Sequence, residues 1–166
     1  MGEYFTAEAI IDSRWRGQTF GTAEGIEAAV NGTLPMLGRP GIHRAAFTDG
    51  TWAYKVPVWR SVAGSQPNRD EYEAMTQLRR HDPSCPATAL VSPVCLWRYE
   101  WLVVAVMRVY PDNWDTASNA QRGAFDRAVY KHGRAGHTPH LVDLHGGNIR
   151  ADRNHRLHII DLGFGL

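Results

Sequence analysis

The stretch Asp143-Leu144-His145-Gly146-Gly147-Asn148-Ile149 decides the fold, together with Ile159-Ile160-Asp161-Leu162-Gly163 beyond a short predicted hairpin. It sets three oxygen-bearing side chains, Asp143, Asn148 and Asp161, at fixed spacings around that hairpin. One carboxylate can take a proton from an attacking hydroxyl. The second carboxylate and the carboxamide oxygen suit Mg²⁺, which is a hard cation and prefers oxygen ligands. Side chains of these types can therefore take up a proton and bind a hard cation.

The combination of D-L-H-x-x-N-I with I-I-D-x-G resembles the catalytic loop and the metal-binding turn of the protein-kinase-like superfamily. Within this superfamily, the D-L-H sequence most resembles that of bacterial and phage small kinases and of aminoglycoside-phosphotransferase-like proteins. The resemblance implies ATP and Mg²⁺ as cofactors, Asp143 as the general base or substrate-orienting carboxylate, and His145 as a further member of the catalytic set. It also implies that Asn148 and Asp161 are the metal ligands.

A lysine in an early predicted strand extends the resemblance. Lys55 lies in Trp52-Ala53-Tyr54-Lys55-Val56, where the family's strand lysine reaches the α- and β-phosphates of the nucleotide. The chain has 16 arginines and only two lysines, Lys55 and Lys131. A compact ammonium is therefore the exception in this chain, and we expect it to have a specific task. The alternative is a surface lysine at the end of a strand.

The resemblance also implies a glutamate partner for Lys55 on the following helix. Glu71 is followed by apolar residues three, four and seven positions later, so its carboxylate lies at the edge of the predicted buried face. Glu73 has polar residues at the same offsets and is the less favoured candidate. We therefore expect an ion pair between Lys55 and Glu71 that aims the lysine.

Two further segments resemble nucleotide-binding parts of the family. Gly38 and Gly41 are candidates for a shortened glycine-rich loop whose N–H groups approach phosphates, although Pro40 removes one donor and a plain turn is an equal alternative. Met107, Arg108 and Val109 end a strand where the adenine ring would bind to the main chain of a hinge. These residues are the candidates for binding the nucleotide, and an ordinary strand end is the alternative for Met107, Arg108 and Val109.

The predicted elements place the chain in the α+β class. They are helices over 5–12, 23–31, 68–80 and 116–135, and strands over 44–47, 52–58, 90–96, 101–109, 149–151 and 156–160. Asp49-Gly50 predicts a hairpin turn between the first two strands, and residues 98–100 separate the next two. Asn31-Gly32 is the predicted end of the second helix and Asn68 the candidate N-cap of the third. The predicted apolar face of the last helix consists of Ala120, Ala124, Phe125, Ala128 and Val129. We expect a kinase-like fold with a complete small β-rich N-lobe over 35–110. An N-terminal helical extension over 1–34 precedes it, and a strongly reduced helical C-lobe over 111–166 follows.

Composition narrows the class of protein. The 166 residues carry a net charge of +1 without a dense basic stripe, so nucleic acid is not an expected partner. The longest apolar run is far shorter than the roughly 20 residues of a membrane-spanning helix, so no membrane partner is expected. Cys85 and Cys95 are predicted to be free thiols of a cytoplasmic protein, in a bacterium or a phage-infected cell.

The predicted function is transfer of the γ-phosphate of ATP to a hydroxyl, with Ser or Thr of a protein favoured over a small molecule. The alternative is a nucleotide-binding pseudokinase or interaction module without phosphotransfer. The reduced C-lobe would leave apolar surface, which a homo-oligomer or a partner chain would cover. A structural protein whose Asp and Asn only cap turns, and a zinc site among the histidines after residue 131, are weaker alternatives.

Overall fold

A computed structural model describes residues 8–11, 15, 17–81, 91–134 and 145–161 of the chain. These form two compact units, Met1–Tyr72 with Val94–Val109 (unit 1) and Glu73–Pro93 with Tyr110–Leu166 (unit 2). Helices and antiparallel strands occur together, which confirms the α+β class. Within the described portion, none of the helices is both long and apolar enough to cross a membrane.

Unit 1 is built on an antiparallel sheet of five strands in the order β1-β4-β5-β3-β2. The strands are β1 Glu8–Ile10, β2 Arg44–Thr48, β3 Trp52–Pro57, β4 Cys95–Tyr99 and β5 Leu102–Arg108. Every residue from Leu102 to Met107 is buried, because the sheet is covered on both faces.

The hairpin that joins β2 and β3 forms at the predicted Asp49-Gly50 turn. The Asp49 carboxylate accepts the N–H groups of Thr51 and Trp52 at 2.9 and 2.8 Å. Its second oxygen accepts the Tyr54 hydroxyl at 2.6 Å. Gly50 has a φ of +94°, which a residue without a side chain adopts at low cost. The predicted hairpin is therefore confirmed, and the turn fixes the register that carries Lys55.

Helix α1, Ala23–Val30, covers one face of this sheet and confirms the helix predicted over 23–31. The Thr22 hydroxyl accepts the Gly25 N–H at 3.0 Å and caps the helix. Gly25 lies against Tyr54, where a Cβ atom would come within 2.2 Å of the phenol oxygen. Tyr54 points to the same face as Val56, and both belong to the apolar core beneath α1. Strand alternation therefore sends Lys55 to the opposite face.

Helix α2, Gln66–His81, follows a short 3-10 helix and begins earlier than predicted. The prediction of Asn68 as N-cap is wrong, because Asn68 lies inside the first turns and is fully buried. Its side-chain amide donates to the carbonyl oxygens of Lys55 at 2.8 Å and Val103 at 2.7 Å. Long-range partners in the sheet thus override the local capping preference of an asparagine.

Two strands of unit 1 differ from the prediction. The helix predicted over 5–12 is wrong where the chain is described, since Glu8–Ile10 forms β1 and pairs with β4. The strand predicted over 90–96 instead begins at Cys95 and continues to Tyr99. The turn falls at Glu100, which has a φ of +54°, and not over 98–100.

Unit 2 contains a smaller sheet in the order β6-β7-β8, formed by β6 Asp112–Asn113, β7 Ile149–Ala151 and β8 Leu157–Ile159. The hairpin of β7 and β8 confirms the predicted strands, whereas the two-residue β6 was not predicted. Helix α3, Asn119–Arg134, confirms the helix predicted over 116–135. Of its predicted apolar face, Phe125 and Ala128 are buried, while Ala120 and Ala124 are exposed.

Candidate functional site

Lys55 lies in the middle of β3, with its side chain on the face of the sheet opposite α1. Its Nζ atom is 2.7 Å from Oε1 of Glu71, which lies in α2. Lys55 is 8% exposed and Glu71 is 1% exposed, so this is a buried ion pair. The predicted contact between these two residues is confirmed. Its geometry is set by the hairpin register of β3 and by one turn of α2.

The second oxygen of Glu71 also has a cationic partner. Nη1 of Arg44, in the neighbouring strand β2, donates to Oε2 of Glu71. The same nitrogen lies 3.3 Å from the side-chain oxygen of Asn68. Glu73, the less favoured candidate, is exposed and accepts a hydrogen bond from Gln77 at 3.1 Å. The choice of Glu71 over Glu73 therefore agrees with the structure.

Sequence reasoning missed Arg44 and Asn68 as parts of this cluster. Asn68 precedes Glu71 by three positions, so both side chains leave α2 on the same face. That spacing was visible in the sequence and indicated a polar patch on an otherwise apolar face. The position of Arg44 was not visible, because it depends on the register of β2 against β3, which pairs Arg44 with Pro57.

The glycine segment forms an exposed loop in front of β2. Leu37 N–H donates to the Ala46 carbonyl at 2.7 Å, so the chain before the loop runs back along β2. Gly38 has a φ of +70° and begins the loop. Gly41 N–H donates to the Arg44 carbonyl at 2.9 Å and closes it. The Gly41 amide is therefore occupied within the loop, which disagrees with its expected contact to a phosphate.

The predicted hinge lies at the end of β5. Met107 is 2% exposed, whereas Arg108 is exposed and its guanidinium lies 5.2 Å from the centre of the Trp52 ring. Val109 N–H donates to the Thr51 carbonyl at 2.9 Å. The Val109 amide is thus used by the sheet, and a contact from it to an adenine ring is not available in this arrangement.

In unit 2, the residues before β7 form a short 3-10 helix, Gly146–Asn148. Nδ1 of His145 accepts the Gly147 N–H at 3.0 Å, so the His145 side chain caps this helix. The His145 carbonyl accepts the Asn148 N–H at 2.9 Å. Asp143 lies outside the described residues. The described part of the predicted catalytic loop is therefore a capped turn that leads into β7.

The β7–β8 hairpin brings the two predicted metal ligands to one end of the small sheet. Ile149 pairs with Ile159, and Ile160 N–H donates to the Asn148 carbonyl at 2.9 Å. Asp161 follows Ile160 directly, one residue beyond the position opposite Asn148. Both residues are partly buried. A carboxamide and a carboxylate are ligand types that suit a Mg²⁺ ion, which takes one or two protein oxygens and fills its shell with phosphate and water.

The far end of the same hairpin is fixed by Asp152. Its carboxylate accepts the N–H groups of Asn154 at 2.8 Å and Arg156 at 3.0 Å, and His158 Nε2 lies 3.2 Å away. Burial raises the pKa of Asp152, but the hydrogen bonds from Arg156, His158 and Asn154 outweigh it and hold this pKa below its usual value. His158 stacks on Tyr110 with ring centres 4.1 Å apart. These contacts hold the hairpin that carries Asn148 and Asp161.

Neither a cysteine nucleophile nor a metal site with three His, Cys, Asp or Glu ligands finds support among the described residues. Cys95 is a free thiol with no exposed surface, and burial raises its pKa to about 12, so it is not a nucleophile at neutral pH. Over the described ranges, no three His, Cys, Asp or Glu side chains form a cluster that could hold a metal. Cys85 and the histidines at 137 and 140 lie outside those ranges.

Known proteins give no guide to the function. Comparisons with protein-family models, curated proteins and solved structures found no significant match.

The described site residues offer two separate chemical capacities. Unit 1 holds a buried ammonium, Lys55, whose position is set by Glu71 and which is suited to bind phosphate oxygens. Unit 2 holds two oxygen ligands, Asn148 and Asp161, suited to a hard divalent cation.

Proposed function

We propose that this protein is an ATP- and Mg²⁺-dependent phosphotransferase of the protein-kinase-like type, which transfers the γ-phosphate to a hydroxyl. The observation that carries the proposal is the buried ion pair between Lys55 of β3 and Glu71 of α2, at 2.7 Å. Removing two charges from water costs free energy, which only a close ion pair with further hydrogen bonds can offset. A strand lysine paired with a helix glutamate is the arrangement that protein kinases use to bind the nucleotide phosphates.

The order of elements around that pair supports a kinase-like N-lobe. A loop that begins and closes at glycines precedes β2, the lysine strand β3 follows across a tight hairpin, and α2 supplies the glutamate. Strands β4 and β5 then complete one antiparallel sheet. This is the order that the resemblance implies for residues 35–110.

Each residue has a defined task in the proposed reaction. Lys55 binds the α- and β-phosphates, and Glu71 keeps its ammonium in place. Asn148 and Asp161 would hold Mg²⁺, which would neutralise part of the charge of the phosphates. Asp143 accepts the proton of the attacking hydroxyl. The hydroxyl oxygen forms a bond to the γ-phosphorus, the bond from that phosphorus to the bridging oxygen breaks, and ADP leaves.

We favour Ser or Thr of a protein as the acceptor, with a small-molecule hydroxyl as the other class. Radiolabelled ATP with Mg²⁺ tests transfer to the protein itself and to a Ser/Thr-rich protein substrate. Wild type should transfer phosphate, and Asp143→Ala and Lys55→Met should lower the rate by about 10²-fold or more. A matched control is Lys131→Met, which removes the other lysine and should keep activity. Equal, negligible transfer by wild type and Asp143→Ala would rule out the enzyme.

A second candidate function is a nucleotide-binding interaction module, and a patch of exposed apolar side chains in unit 1 favours it. Trp59, Val62 and Trp101 are 69%, 63% and 55% exposed. Trp101 Nε1–H lies 3.3 Å from the Arg60 carbonyl, which brings the loop after β3 beside the β4–β5 turn. Exposed apolar patches of this kind often bind other proteins. Nucleotide binding without phosphate transfer, together with self-association removed by Trp59→Ser and Trp101→Ser, would support this function.

A further inference from the structure

We propose that Arg44 is a positioning residue that acts through Glu71 to hold the Lys55 ammonium in place. This role rests on the proposed function, because that function gives Lys55 its phosphate to bind. Arg44 does not belong to the glycine loop, the catalytic loop or the metal-binding turn. Its place in the site follows only from its contacts in the folded chain.

Glu71 has one cation on each carboxylate oxygen. Lys55 Nζ contacts Oε1 at 2.7 Å, and Arg44 Nη1 contacts Oε2. The Arg44 and Lys55 side chains are only 12% and 10% exposed, so little water competes for these contacts. A carboxylate with a single cationic partner can rotate about its side chain. With a partner on each oxygen, both its position and its plane are set.

Asn68 closes these contacts into a ring. Arg44 Nη1 lies 3.3 Å from Asn68 Oδ1, and Asn68 Nδ2 donates to the Lys55 carbonyl at 2.8 Å. The ring therefore starts at Arg44, which contacts Glu71, and Glu71 contacts the Lys55 side chain. The Lys55 carbonyl accepts from Asn68, and the Asn68 side-chain oxygen leads back to Arg44. A second bond from Asn68 Nδ2 to the Val103 carbonyl, at 2.7 Å, attaches the ring to β5.

The ring joins strands β2, β3 and β5 to helix α2 within unit 1. Loss of Arg44 would leave one oxygen of a buried carboxylate without its cation, and Glu71 would then reorient. That change weakens its hold on the Lys55 ammonium. The first effect of such a loss is therefore on the accessibility and order of Lys55, and the second is on phosphate binding.

Amine acetylation tests the first effect without any nucleotide. The full-length chain is treated briefly with an acetylating reagent, and mass spectrometry compares Lys55 with Lys131, the only other lysine. In Arg44→Gln, the ratio of Lys55 to Lys131 acetylation should rise about tenfold, as expected for the loss of one charge-assisted bond. Arg44→Lys keeps a cation and should show a smaller rise. The control is Arg108→Gln, an exposed arginine of β5 in the same sheet, which should leave the ratio unchanged.

An unchanged ratio in folded Arg44→Gln would overturn the proposal, as would an equal rise in Arg108→Gln. If circular dichroism shows that Arg44→Gln is unfolded, Arg44→Lys is used in its place. An acetylation ratio of Lys55 to Lys131 in Arg44→Lys that is identical to wild type then overturns the proposal.

Kinetics separate this role from the proposed function. In an active enzyme, Arg44→Gln should lower kcat/KM for ATP by about tenfold, with partial recovery in Arg44→Lys. One outcome is that Lys55 reacts faster with the acetylating reagent in Arg44→Gln, as expected, while wild type neither binds nor hydrolyses Mg²⁺-ATP. In that case the positioning role stands and the proposed function fails. If wild type transfers phosphate while Arg44→Gln changes neither Lys55 reactivity nor kinetics, the proposed function stands and the positioning role fails.

Discussion

The Nζ atom of Lys55 lies 2.7 Å from Oε1 of Glu71, and the two side chains are 10% and 1% exposed. This pair connects the central part of the sheet to α2, and Arg44 shares the carboxylate. Because all three charges are largely removed from water, deleting the carboxylate leaves two buried cations close together. The ion pair therefore stabilises unit 1, and it also belongs to the candidate functional site.

Replacing Glu71 should destabilise the protein far more than replacing Glu73. We expect Glu71→Ala to lower the free energy of unfolding by about 3–5 kcal/mol, the range for breaking a buried ion pair from one side. Glu73→Ala, at an exposed position of the same helix, should change it by less than about 0.5 kcal/mol. Urea unfolding followed by circular dichroism measures both. Similar losses of unfolding free energy in the two variants would mean that the contacts of Glu71 with Lys55 and Arg44 do not stabilise the protein.

Two glycines in helices should respond to alanine with opposite signs. Gly25→Ala in α1 puts a Cβ atom 2.2 Å from the Tyr54 hydroxyl oxygen, so we expect a loss of about 1–3 kcal/mol from overpacking. Gly123→Ala in α3 meets only the end of the Arg127 side chain, at 3.3 Å. There the higher helix propensity of alanine should stabilise the protein by up to about 1 kcal/mol. Thermal unfolding of both variants tests the close packing of α1 on the sheet.

Magnesium should contribute to nucleotide binding through Asp161. At a 100-fold excess of ligand over its Kd, binding stabilises a protein by about 2.7 kcal/mol, or roughly 5–10 °C in Tm at this size. We expect wild type to show such a shift with ATP and Mg²⁺, and Asp161→Asn to lose the part that depends on Mg²⁺. Asp115→Asn, at an exposed position of the same unit, is the control. An Mg²⁺-dependent shift that survives in Asp161→Asn would remove Asp161 from the metal site.

Acid should weaken the β7–β8 hairpin through Asp152. The hydrogen bonds from Arg156, His158 and Asn154 outweigh the effect of burial and hold the pKa of Asp152 below its unfolded value of 3.8. The stabilisation is therefore complete above the unfolded pKa and is lost as the pH falls through the lower folded pKa.

A comparison of Tm between pH 6 and about pH 3 tests this dependence. Asp152→Asn should show a smaller decrease in Tm over that range than wild type, because its side chain does not titrate. Asp126→Asn, at an exposed position of α3, should follow wild type. If Asp152→Asn follows the wild-type curve instead, the carboxylate does not stabilise the hairpin.

Local signals in the sequence predicted part of the fold and of the site. The Asp49-Gly50 turn defines the β2–β3 hairpin within a few residues, and the apolar spacing after Glu71 places its carboxylate on the inner face of α2. Asn31 and Gly32 likewise mark the end of α1. Each of these features depends on neighbours close in sequence, so no knowledge of the tertiary structure was needed.

Features that depend on distant partners could not be predicted in the same way. Asn68 has the character of a helix cap, but the carbonyls of Lys55 and Val103 draw it into the interior. The Val109 amide was expected to be available to a ligand, yet Thr51 accepts it from across the sheet. Arg44 entered the site only through strand register. In each case a contact with a residue far along the chain decided the outcome.

The edge strand β1 has a consequence for how this protein assembles. Glu8 pairs with Arg98, so β1 can dock only after a loop of about 90 residues has closed, whereas β2 and β3 meet across a turn of a few residues. With three residues in contact with a single neighbour, β1 should be the last strand to join the sheet during folding. It should also be the first to detach, and native-state hydrogen exchange would reveal it as the least protected strand of unit 1.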